Sequence, residues 1–176
     1  MTATLLARPT VGAPAAWRFP AIAEDRLSNG MRVLAVHLPG KLVASVVALV
    51  DLPVEADPAG QEGLAALAAR CLRVGTASYD EGSFAEALER RGASFQAFAG
   101  YDGLQAILDV PASRFAEALP LLGEAVMRPT FPSSEVDRVV RQRLAEITQQ
   151  LANPASRAQL EFGALVHEAG TRHGKP

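Results

Sequence analysis

The feature that most constrains this chain is the run Leu42-Val-Ala-Ser-Val-Val-Ala-Leu-Val50, in which Ser45 is the lone polar residue and Asp51 ends the apolar stretch. It falls far short of the roughly 20 residues that a helix needs to cross a bilayer, and its β-branched content favours a strand. Such a strand requires a sheet with at least one covered face. Just upstream, Met31-Arg-Val-Leu-Ala-Val-His37 has the same character, with Pro39-Gly40 between the two. They read as neighbouring strands, the second the more buried.

Helical periodicity takes over beyond Asp57-Pro58, which resembles an N-cap followed by proline in the first turn. Leu64, Leu67, Cys71 and Val74 recur at helical spacing up to Gly75 and predict a helix over Gly60 to Val74. Ser83 with Glu86 reads as a capping box opening a second helix, with Phe84 and Leu88 on its apolar face and Gly92 as its stop. Ser94 to Phe98 and Leu104 to Val110 flank a turn containing Gly100 and Gly103 and read as a hairpin.

After Pro111, Phe115, Leu119, Leu122 and Val126 mark a helix that Pro120 should kink. Ser134 with Asp137 opens the next, lined on one side by Val136, Val140, Leu144, Ile147 and Leu151, and Asn153-Pro154 starts a last helix reaching about His167. The order of these elements gives an α+β class, with an antiparallel or mixed sheet covered by helices. Residues 1–24, rich in Ala, Pro and Thr, read as a loosely ordered arm, with regular structure from about Arg26. No linker or repeat divides 25–176, which reads as one domain.

Composition narrows the function. The 176 residues are 49% hydrophobic, so the chain can build one sizeable core, burying about 70% of its unfolded surface. Lys and Arg number 17 against 19 Asp and Glu, a balance that argues against a nucleic-acid partner. A single cysteine, Cys71, permits no internal disulfide, and the first residues lack a basic segment followed by a long apolar one. These features set the expectation of a cytoplasmic protein without membrane attachment.

Few catalytic constellations are available. Three histidines and one cysteine leave little from which to build a metal site. His167-Glu168 opens like HExxH, but the second histidine position is Thr171, and His173 falls on the wrong helical face. His37 reads as a solvent-facing strand residue, and Cys71, on an apolar helix face, as an inert thiol. Gly92-Ala-Ser-Phe-Gln96 lacks the second glycine of a nucleophile elbow, and no phosphate-cradling glycine loop is present.

The segment Leu27-Ser-Asn-Gly-Met-Arg-Val33 resembles the L-x-N-G-x-R-V opening of the M16 peptidases, the family of insulinase, pitrilysin and the mitochondrial processing peptidases. Gly63-Leu-Ala-Ala-Leu-Ala-Ala-Arg-Cys-Leu-Arg-Val-Gly-Thr76 is similar to that family's G-x-A-H-F-L-E-H-M-x-F-x-G-T helix. Gly92-Ala-Ser-Phe-Gln-Ala-Phe98, Leu108-Asp-Val-Pro111, Arg128-Pro-Thr-Phe131 and His173-Gly-Lys-Pro176 extend the likeness over roughly 25–176. The resemblance implies the α+β, LuxS/MPP-like metallopeptidase fold. It also implies an N-terminal domain incomplete at its C-terminal end, because the first of the two such domains in family subunits normally continues into another helix and a central strand.

In the family, the two histidines of HxxEH bind zinc and the glutamate between them activates water. The matching positions here are Ala66, Ala69 and Arg70; the third ligand's position is Glu146, and the acidic partner one heptad earlier is Val139. The resemblance therefore implies a degenerate motif, no zinc cofactor and no hydrolysis by this chain. We expect the Arg70 guanidinium to fill the space of the metal and pair with Glu146. The implied role is that of an inactive subunit in a heterodimer, closing a peptide-binding chamber with a catalytic M16 subunit that carries HxxEH. Unfolded peptide would lie along the strip Gln96-Ala97-Phe98, where Gln replaces the family's usual Asn, with Phe95 and Ala97 packed inward as the plain structural alternative. Two other functions compete: an active zinc peptidase using His37, His167 or His173 with Glu146, and a purely structural assembly protein.

Overall fold

The computed structural model describes residues 12–13 and 16–167. The chain divides into two compact units, with the boundary between Lys41 and Leu42. In the first, β1 (Ile22–Arg26) and β2 (Arg32–Val36) form an antiparallel hairpin in which Ile22 faces Val36 and Arg26 faces Arg32. Asn29 and Gly30 set its loop: Gly30, at φ 88°, donates its N–H to the Leu27 carbonyl at 2.8 Å, and Asn29 Oδ1 accepts from the Met31 N–H at 3.0 Å. Arg32 grips Glu24 across the ladder at 2.6 and 3.1 Å, and its hydrogen bonds hold the Glu24 carboxyl below its ordinary range.

Two expectations are corrected here. Among the described residues, regular structure begins at Ile22 rather than near Arg26. Every residue of this hairpin is exposed, so β1 carries no apolar alternation that could announce it. Nor is β2 a neighbour of the strand at Leu42: it pairs with β1, while the later strand belongs to a different sheet.

That second sheet, in the second unit, has the order β3 (Val43–Val50), β5 (Gly103–Pro111), β4 (Ser94–Gly100), and its pairings are antiparallel. The central strand, β5, has a period-two pattern: Leu104, Ala106, Leu108 and Val110 are buried, and Gln105, Ile107 and Asp109 are half-buried. Leu108 faces Val46 on one side and Phe95 on the other, so one face of all the strands converges on the core. The hairpin of β4 and β5 closes through the facing pair Gly100 and Gly103, as the sequence suggested.

Helices pack on that face: α1 (Leu64–Cys71), α2 (Glu81–Glu89) and α3 (Phe115–Met127) contribute Ala69, Leu72, Phe84, Ala87, Leu121 and Leu122 to the core. Phe84 meets Tyr79 and Phe95 edge-on, with ring centroids 6.0 and 5.7 Å apart. On the opposite face of the sheet, Val43, Val47, Leu49 and Phe98 are exposed. The α3 helix continues through Pro120.

Helix starts differ from the sequence reading in instructive ways. The first helix begins at Leu64 rather than Gly60, because Gly60 and Gly63 take left-handed φ values of 82° and 98° that turn the chain just before it. Asp57 does not cap an adjacent turn. It reaches forward to accept the N–H groups of Gly63 at 2.7 Å and Ala65 at 2.9 Å, placing an anion at the start of α1. The capping box of α2 is Asp80 with Ser83, not Ser83 with Glu86: Asp80 Oδ1 accepts from the Ser83 N–H at 2.7 Å and Ser83 Oγ accepts from the Asp80 N–H at 3.0 Å.

The long helix α4 (Ser133–Ala152) starts behind Pro132 with no side-chain cap, so Ser134 lies within its first turn. Asn153 does cap α5 (Pro154–Val166), accepting from the N–H groups of Ala155 at 2.9 Å and Ser156 at 3.2 Å. A backbone strap ties the end of α1 to the entrance of α4: the Thr130 N–H donates to the Gly75 carbonyl at 3.0 Å and the Ala77 N–H to the Arg128 carbonyl at 2.9 Å. Gly75 lies so close to this strap that a Cβ there would come within 2.7 Å of the Pro132 ring. Among the described residues, no helix is long and apolar enough to cross a membrane.

Candidate functional site

With α1 and α4 held side by side, Arg70 from the last turn of α1 points at Glu146 in α4. Arg70 Nη1 donates to Glu146 Oε1 at 3.1 Å, and Nη2 lies 2.9 Å from Oε2. The planar fork of a guanidinium matches both oxygens of a carboxylate at once, which gives the contact direction as well as charge. Arg143, three residues earlier on α4, adds a third contact at 3.3 Å to Oε2. Hydrogen bonding from Arg70, reinforced by Arg143, holds the Glu146 carboxyl below its ordinary range against the opposing effect of desolvation.

Small and apolar side chains flank the pair on both helices. Ala69 is buried and Ala66 half-buried on the same helix. Val139, one helical heptad before Glu146, is 5% exposed and packs on Cys71 and Val74. Burial pushes the Cys71 thiol up, partly offset by the charge of Arg138.

Such residues do not fit a zinc ion. The methyl groups of Ala66 and Ala69 have no lone pair, a guanidinium repels a divalent cation, and both oxygens of Glu146 already accept hydrogen bonds. Among the described residues, no three His, Cys, Asp or Glu side chains come together as a metal-binding group. His37 is exposed just beyond β2 in the first unit, and His167 closes the C-terminal end of α5. Glu168, Thr171 and His173 lie outside the described residues.

Beside the ion pair lies a cavity of about 290 Å³ between α1, α4 and β4. Its walls include Arg70, Arg73 and Arg138, its apolar part includes Val139, and one margin is the strand segment at Gln96 and Ala97. Arg138 is anchored by Glu81 at 2.5 Å and Glu135 at 2.8 Å. The strand β4 is an edge of its sheet, paired only with β5, so one side of its backbone is free of strand partners among the described residues. Gln96 and Phe98 are exposed, and Phe95 and Ala97 turn inward, to different depths.

The structure thus brings Arg70, Glu146, Ala69, Gln96 and Ala97 into one neighbourhood. It adds two residues that sequence reasoning passed over, Arg73 and Arg138. Arg73 follows Arg70 by three residues, a helical spacing within the helix expected over Gly60 to Val74, although it lies in the turn just past α1, while Arg138 directly precedes Val139. Those spacings were the available signal.

Residues 32–174 match the model of the Insulinase (Peptidase family M16) family, so the chain belongs to the M16 peptidase family. Its fold is similar to that of a peptidase M16 inactive domain from Pseudomonas fluorescens, with a TM-score of 0.76 and 25% sequence identity over 88% of this chain and 38% of that one. It is also similar to a protease from Helicobacter pylori, with a TM-score of 0.64 and 22% identity over 73% of this chain and 30% of that one. The chain therefore spans well under half the length of either structure. No curated protein matches it.

Proposed function

We propose that this chain is a proteolytically inactive M16 domain that holds unfolded peptide and completes a chamber with a partner subunit carrying an intact HxxEH. Its setting, in this reading, is a cytoplasmic heterodimer for peptide processing or degradation. The observation that carries the reading is the two-pronged contact of Arg70 with Glu146, which occupies the ground where the family's ligands would converge. A guanidinium offers only donors and no lone pair, so it cannot become a ligand. The likeness to an M16 inactive domain supports the same conclusion. The open edge of β4 supplies what a peptide holder needs, since a strand can add its backbone there without demanding a particular sequence.

Three measurements test this. Metal analysis and peptide cleavage by the purified chain should both be negative, and co-expression with an HxxEH-bearing relative should give a stable complex with cleavage activity. Stoichiometric zinc with cleavage that Glu146→Ala abolishes would overturn the proposal. Incorporation into a larger assembly without any peptide binding would point to a structural subunit instead.

A further inference from the structure

Of the three arginines that line the cavity beside β4, two are held in ion pairs among the described residues and one is not. Arg70 is matched by Glu146, and Arg138 by Glu81 and Glu135. Arg73 also lines the cavity, is exposed, and has no hydrogen bond or ion pair among the described residues. One uncommitted guanidinium thus stands at a cavity whose margin is the free edge of a strand.

A peptide added along that edge would alternate its side chains with a period of two, sending every second one to the face where Phe95 and Ala97 point. That face is the one on which α1 packs, and the small side chains of Ala69 and Ala97 leave room there. We propose that the site selects peptides bearing a carboxylate, with Arg73 as the residue that receives it. The inference rests on the peptide-holding reading above and gives it a substrate class: acidic segments of unfolded chain. The carboxylate comes from an Asp or Glu side chain or from a free C-terminus, since a guanidinium fork donates equally well to either.

The test is fluorescence anisotropy of labelled, unstructured peptides against the full chain and its Arg73→Gln variant. The peptides form a matched set: one Glu or its Gln replacement, each with a free or an amidated C-terminus. The charged member should bind about three- to tenfold tighter than its neutral counterpart, with the gap narrowing at high salt. Arg73→Gln should erase the gap while keeping the thermal midpoint of the unmodified chain, which reports an intact fold, and Arg73→Lys should retain part of it. Preference in the Glu arm identifies the side chain as the source, and preference in the free-terminus arm the terminal carboxyl. Equal binding of every peptide to the unmodified chain would overturn the inference while leaving the peptide-holding reading in place. No binding of any peptide would overturn both.

Discussion

Arg70 and Glu146, 76 positions apart in the chain, meet at 3.1 and 2.9 Å through both prongs of the guanidinium. Because the folded Glu146 carboxyl is held below its ordinary range, the pair's contribution to stability is complete above the unfolded carboxylate range. As pH falls, the unfolded chain takes up its proton first, and the contribution fades until the folded carboxyl is protonated too. The thermal midpoints of the unmodified chain and Glu146→Gln should therefore differ most near neutrality and converge below about pH 4. Calorimetry across that range checks it, and a constant gap down to pH 3 would contradict it.

The ring of Phe84 is the keystone of the core between α2 and the sheet, 2% exposed and edge-on to two other rings. Phe84→Ala should cost about 3–5 kcal/mol in urea denaturation through the cavity it opens. Phe98, on the same sheet but 46% exposed, should lose far less on the same truncation.

Two glycine-to-alanine changes should have opposite signs. At Gly75 the new methyl would press within 2.7 Å of the Pro132 ring and 2.9 Å of Thr130 Oγ1, and this overpacking should destabilise by about 1–3 kcal/mol. At Gly123, inside α3, nothing lies within 4 Å of the added Cβ, so the change should stabilise by about 0.5–1 kcal/mol through helix propensity. Denaturant melts of both variants decide the matter.

The thiol of Cys71 is buried at 2% exposure, and burial raises it further from ionisation. A disulfide reagent at neutral pH should leave it largely unreacted in the native chain and modify it in full once denaturant is added. Rapid native modification would mean that the contact between α1 and α4 opens readily.

How legible this was depends on what each residue had to contend with. The hairpin of β4 and β5 could be read because strict alternation and paired glycines act locally, and Asn153-Pro154 because an asparagine cap needs only its next neighbours. The strand β1 was hidden because its hairpin is exposed and its sequence has no buried face. Asp57 misled because its carboxylate serves a helix that starts only after two left-handed glycines. The Arg70–Glu146 meeting was foreseen from family likeness and not from spacing, and Arg73 went unremarked because its importance comes from what its neighbours have already used up.

The strap from Gly75 to Thr130 fixes where α1 and α4 run before any side chain between them is chosen. Architecture and chemistry are thus separable in this molecule. The hydrogen bonds of that strap run between backbone atoms, so the course of the two helices does not depend on which side chains stand at Ala66, Ala69 and Arg70.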